Sequence, residues 1–131
     1  TAKTQYLFRI NKGREQALET INEYMPETER PVPFQHMLYI GDGLTDVPCM
    51  TVVKNYGGFA LAVHKPRSAP AVAVCKELAD ANRIDFYAPA DYRPGRTLER
   101  RGQKILDLIV ARISFETERN EFLHDIDKGQ A

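Results

Sequence analysis

At 131 residues with 43% hydrophobic content, the chain is long enough to bury one core and too short for several. Its 18 basic and 18 acidic residues cancel, which excludes the global charge that draws a protein to nucleic acid or a membrane surface. No apolar run approaches the ~20 residues of a membrane-spanning helix, and Cys49 and Cys75 are too few for a disulfide framework, so they are expected as reduced core thiols in a cytoplasmic protein.

The chain opens at Thr1 without a methionine or a charged-then-apolar leader, and its first residues already read as the interior of a fold; it is expected to be a piece of something longer. Thr4 to Ile10 alternates, with Tyr6, Phe8 and Ile10 on one face, and predicts a strand whose partner lies upstream. From Gly13 to Tyr24, Ala17, Leu18, Ile21 and Tyr24 recur at helical spacing with Arg14, Glu15, Glu19 and Glu23 outside, and Pro26 ends that helix. Pro26 to Pro33 reads as a stiff surface connection, after which Phe34 and Met37 return the chain to the core.

Met37 to Met50 is the stretch that organises the rest. Met37-Leu38-Tyr39-Ile40 predicts a buried strand, Gly41-Asp42-Gly43 a turn, and Leu44 onward a helix with Pro48 in its first turn, where proline is tolerated. Asp42 is thereby expected at the carboxyl end of a strand and Asp46 at the start of a helix, where ligands bind in open α/β sheets. Two carboxylates there suit a hard cation such as Mg²⁺, which takes oxygen ligands and keeps several waters.

Val47, Met50, Thr51, Val53 and Lys54 make a short amphipathic helix that Gly57-Gly58 terminates, and Phe59 to Val63 is an apolar run suited to a strand buried on both faces. His64 to Pro70 predicts a loop, Ala71 to Asn82 a helix facing inward through Val72, Cys75, Leu78 and Ala79, and Ile84 to Ala88 a strand. Thr97 is expected to cap the longest helix, with Leu98, Ile105, Ile109 and Ile113 as its buried stripe and Arg100 and Arg101 as surface charges. Beyond Phe115 the charged tail either continues that helix or frays. Strand and helix alternating across short loops predict an α/β, Rossmann-like fold in which the Met37, Phe59 and Ile84 strands lie parallel and the helices pack on both faces.

Gly41-Asp42-Gly43-Leu44-Thr45-Asp46 fails as a dinucleotide fingerprint, because Asp46 stands at the third glycine position, and as an EF-hand, because no Glu closes a twelve-residue loop. His36, His64 and His124 share no ligand spacing and are expected as surface or packed histidines. Arg93, Arg96, Arg100 and Arg101 form a basic cluster without interleaved stacking aromatics beyond Tyr92, which favours solvated charge over RNA contact.

Gly41-Asp42 followed by Asp46 after a hydrophobic strand resembles the fourth signature motif of the haloacid dehalogenase (HAD) superfamily. Asn11-Lys12-Gly13 resembles that family's third motif, Gly57-Gly58-Phe59-Ala60-Leu61-Ala62-Val63 the strand after motif four, and Phe86-Tyr87-Ala88-Pro89-Ala90-Asp91-Tyr92 its closing strand and loop. The resemblance covers Asn11 to Leu106 and implies that the whole chain is the C-terminal part of a HAD-like hydrolase core. It further implies a Mg²⁺-dependent phosphatase acting on a small phosphorylated molecule through an aspartyl-phosphate. Asp42 would hold the metal, Asp46 would be its outer-shell partner, Lys12 would stabilise charge near the phosphoryl group, and Thr45 would hydrogen-bond the active-site oxygens.

The family's Asp-x-Asp nucleophile strand and its Ser or Thr motif have no counterpart here; Asp125-Ile126-Asp127 has the spelling without the preceding apolar strand. The chain therefore carries part of an active site. The missing first strand would lie beside the Met37 strand, so the expected partners are the missing N-terminal fragment or a second copy across the exposed sheet edge. The alternative is a non-catalytic regulatory or interaction module that keeps a HAD-like fold.

Overall fold

The computed structural model describes residues 32–130; the strand expected at 4–10, the helix expected at 13–24 and Lys12 lie outside the described residues. Phe34–His36 forms one 3-10 turn and β1 follows at Leu38–Gly41. A second 3-10 turn, Leu44–Asp46, runs into α1, Val47–Asn55. Then come β2 (Phe59–His64), α2 (Ala69–Asp80), β3 (Phe86–Pro89) and α3 (Thr97–Asp127).

The strands form one parallel sheet in the order β1-β2-β3, with Gly41 opposite Ala62 and Leu61 opposite Phe86. Strand alternation in β2 decides which layer each residue joins. Leu61 and Val63 pack with Ala88, Leu98, Ile105 and Ile109 beneath α3. Ala60 and Ala62 point the other way, to Met50, Cys75 and Ile84 under α1 and α2. A third cluster, Phe34, Met37, Cys49 and Val53, closes the base of β1. The result is the three-layer α/β architecture that the sequence pattern predicts, with both cysteines free and buried. Among the described residues no helix is long and apolar enough to cross a membrane.

Local chemistry fixes the boundaries. Pro48 sits in the first turn of α1, and Gly57, at φ +91°, reverses the chain after it. Lys54 Nζ meets Asp85 Oδ1 at 2.7 Å, and Asp85 Oδ2 accepts from the Ala60 amide at 2.9 Å, which ties α1 to β2 and to the approach of β3. On the opposite face His36 Nε2 lies 3.0 Å from Glu116 Oε2, and the Arg112 guanidinium stands 5.6 Å from the Phe59 ring centroid, which pins the middle of α3.

Several expected boundaries move. α2 begins at Ala69 rather than Ala71, because Ser68 Oγ accepts from the Ala71 amide at 3.3 Å and Pro70 fits the first turn. β3 begins at Phe86, although Ile84 is buried as expected. Thr97 is the first helical residue of α3 and not its cap; Arg96 holds the cap position in extended conformation with no side-chain cap bond. Arg101 is half-buried and donates to the Tyr87 carbonyl oxygen, so it is a tie between α3 and β3 rather than a free surface charge. The tail continues as helix to Asp127. At about 1.5 Å per residue, the 31 residues of α3 outrun the 6-residue β2 at about 3.3 Å per residue. Ile113 consequently falls outside the buried stripe, at 41% exposure, while Leu98, Ile105 and Ile109 lie within it.

Candidate functional site

The turn after β1 is built around one buried carboxylate. Asp46, 5% exposed, accepts the Tyr39 hydroxyl on Oδ1 at 2.6 Å and the amides of Asp42 and Gly43 on Oδ2 at 3.0 and 3.3 Å. The Asp46 amide in turn donates to the Gly43 carbonyl at 3.0 Å. Tyr39 is held well above the ordinary tyrosine range, first by burial and then by the hydrogen bond to Asp46, so it stays a protonated donor at any ordinary pH. Gly41 makes the closeness possible: a Cβ there would stand 2.6 Å from Asp46 Cβ and 2.8 Å from Met50 Cε.

Asp42 has the opposite environment. Its backbone is fixed by Asp46, its side chain is exposed, and its carboxylate meets no partner among the described residues. Thr45 is exposed on the same turn. The structure thus brings Asp42, Thr45 and Asp46 together at the carboxyl end of β1, with different tasks for the two carboxylates. Lys12, the remaining residue of the expected site, lies outside the described residues.

The donor set can be weighed against Mg²⁺. That ion takes oxygen ligands, keeps several waters and often uses one or two carboxylates. Asp42 fits as one such ligand. Asp46 fits as the residue that sets the loop, since both of its oxygens already accept hydrogen bonds. Among the described residues no three His, Cys, Asp or Glu side chains converge as a metal-holding group, so further ligands would come from elsewhere.

β1 carries a strand on one side only among the described residues, and Ile40 on it is 47% exposed. Two features were not legible as part of this region. Tyr39 reads in the sequence as a strand aromatic, yet it shares strand parity with Gly41 and so points to the face where Asp46 arrives. His64 ends β2 with the inward parity of Ala60 and Ala62, and is 8% exposed.

Farther along the carboxyl edge, Asp91 holds Arg93 through Nε and Nη2 at 2.8 and 2.7 Å, with Arg96 Nε at 3.7 Å. The Arg93 hydrogen bond draws the Asp91 carboxyl down to about 2. Two members of the basic cluster are therefore engaged with a carboxylate.

No protein-family model matches the chain, and no solved structure matches it. It is 36% identical over 101 residues to an uncharacterized protein of Borreliella burgdorferi, a match that covers 75% of this chain and 33% of that protein. The chain spans about a third of the length of the curated relative it matches. What the fold defines is a three-layer α/β class with a parallel sheet.

Proposed function

We propose that the chain is the metal-binding share of a HAD-like, Mg²⁺-dependent phosphatase whose aspartate nucleophile lies on a segment of the longer protein outside this sequence. One observation carries the reading. The exposed Asp42 carboxylate meets no partner among the described residues at the end of β1, while Asp46, four residues on, accepts the Asp42 amide and holds the loop that presents it. Asp46 on the Gly43 amide also caps the helical turn that follows, so what supports a ligand is the exposed Asp42 carboxylate at the carboxyl end of a strand.

When bound, Mg²⁺ would supply positive charge against the phosphoryl oxygens. Asp42 would be its ligand from this chain, Asp46 would fix the position of Asp42 through the backbone, and the Thr45 hydroxyl would hydrogen-bond oxygens at the same edge. By the resemblance, Lys12 would bring an ammonium to charge developing on the phosphoryl group. The aspartate of the missing strand, paired along the open side of β1, would form the aspartyl-phosphate. The substrate is a small phosphorylated molecule.

The test uses the full-length parent protein with 4-nitrophenyl phosphate and Mg²⁺. Asp42→Asn is expected to reduce turnover by at least about a hundredfold, within the range for loss of a group that holds transition-state charge. An unchanged rate would remove Asp42 from the site. A second reading, a non-catalytic module with the same fold, is favoured by the saturation of Asp46 with structural hydrogen bonds. It predicts an upstream sequence with no Asp-x-Asp after an apolar strand, and no turnover in the full-length protein.

A further inference from the structure

A cleft of about 250 Å³ opens between the Gly41–Asp46 turn, α1 and α2. Leu44, Val47, Met50, Val74 and Leu78 form its apolar wall, and Asp42, His64 and Lys65 stand at its polar edge. The wall is not a sealed core, because Leu44 is 73% and Val74 38% exposed. The pairing of Gly41 with Ala62 sets the two strand ends side by side, so the turn carrying Asp42 and the end of β2 carrying His64 border one opening.

His64 is the second observation. It is 8% exposed, and its Nδ1 lies 3.1 Å from the Lys65 carbonyl oxygen. A carbonyl only accepts, so this contact calls for a proton on Nδ1, and in the tautomer that carries it there Nε2 is the acceptor. Nε2 meets no partner among the described residues. A buried polar atom without a protein partner is costly, and at this cleft wall the donor that satisfies it, water or a ligand, comes from the cleft side.

We propose that this cleft binds the organic part of the substrate, a ring-sized apolar group bearing a hydroxyl or amino donor that meets His64 Nε2, with the phosphate directed toward Asp42 and Lys65. The inference rests on the phosphatase reading for the phosphate half alone. Size agrees: a dry apolar cavity of about 150 Å³ accommodates benzene, so the cleft has room for a substituted ring. His64 is thereby a specificity residue, and Lys65, exposed at the rim, offers a cation to an ester that is anionic at neutral pH.

The experiment titrates the full 131-residue chain with three probes by amide NMR: phenol, anisole, and inorganic phosphate with Mg²⁺. Phenol is expected to shift the amides of His64, Val74 and Cys75 saturably and to bind about fivefold or more tightly than anisole, which has the ring without the donor. His64→Phe should abolish that preference, and Val74→Trp, placed at a half-exposed position, should block both probes. Absence of saturable shifts at these amides, or equal binding of phenol and anisole by the native chain, overturns the proposal. If His64→Phe does not fold, that native comparison decides alone. Phosphate with Mg²⁺ reads the other half: a failure to move the Asp42 amide counts against the phosphatase reading and leaves the phenol result standing.

Discussion

The hydroxyl of Tyr39 donates to Oδ1 of Asp46 across 2.6 Å, from the middle of β1 to the turn that follows it. The bond reaches over seven residues and closes the turn like a clasp. With the Asp42 and Gly43 amides on the other oxygen, it converts a glycine-rich reversal into a fixed loop.

Removing the donor should therefore be felt in stability. Tyr39→Phe leaves a buried carboxylate with one partner fewer and is expected to cost about 1–3 kcal/mol. Urea unfolding measures it, and a double-mutant cycle with Asp46→Asn should show coupling, the pair costing less than the sum of the single changes. Additive losses would mean that the two side chains act independently.

Gly41→Ala tests the same closeness from the backbone side. A methyl there would overlap Asp46 Cβ, 2.6 Å away, and Met50 Cε, 2.8 Å away. The methionine end can swing aside, but the aspartate Cβ moves only with the loop. A loss of about 1–3 kcal/mol is expected, with amide shifts spreading through Asp42 and Gly43. A melting temperature equal to that of the native chain would contradict the packing described.

Along α3 the sheet sets the cost. Ile109→Ala removes a side chain 6% exposed between β2 and β3 and should cost about 2–4 kcal/mol. Ile113→Ala, one turn farther and 41% exposed, should cost under about 1 kcal/mol. Thermal denaturation of both variants checks the contrast.

How much of this was legible in the sequence follows from the range of each interaction. The strand was readable from Phe59 to Val63 because burial on both faces leaves an uninterrupted apolar run, although it runs on through His64, which the sequence assigns to the next loop. Phe34 and Met37 were readable as the apolar return after a proline-rich connection, and the two cysteines as core because they are too few for a disulfide framework. The stripe of α3 was readable through Ile109 and failed at Ile113, because helical periodicity does not say where the sheet beneath a helix stops. Thr97 has the chemistry of a cap, but the chain stays extended only to Arg96, so Thr97 enters as the first helical residue. Asp42 and Asp46 were readable as a pair. That one would be exposed and the other buried was not, since the difference comes from Tyr39 and two backbone amides closing on Asp46 in space. The partner of Arg101, a carbonyl on β3, was hidden for the same reason.

The Asp91–Arg93 pair gives the fold an acid-sensitive element. Its carboxyl is lowered from 3.8 to about 2 by the Arg93 hydrogen bond. A depressed folded-state pKa contributes stability above the unfolded value, and that contribution is lost as pH falls through the folded one. The window thus runs from about pH 4 down to about pH 2. Asp91→Asn should unfold with a shallower dependence on pH across that window than the native chain, and added salt should narrow the difference because the pair is solvent-facing. Carboxyl NMR titration of Asp91 reports the midpoint directly.

The division of labour between Asp42 and Asp46 is tested most directly by paramagnetic broadening with Mn²⁺, which shares the oxygen preference of Mg²⁺. Amide spectra of the chain at increasing Mn²⁺ should lose Asp42, Gly43 and Thr45 first, and Asp42→Asn should abolish that focus while the spectrum otherwise remains that of the folded protein. Broadening centred instead on the acidic end of α3 around Asp125 and Asp127, or a focus at the turn that survives Asp42→Asn, would contradict the assignment of Asp42 as the metal ligand.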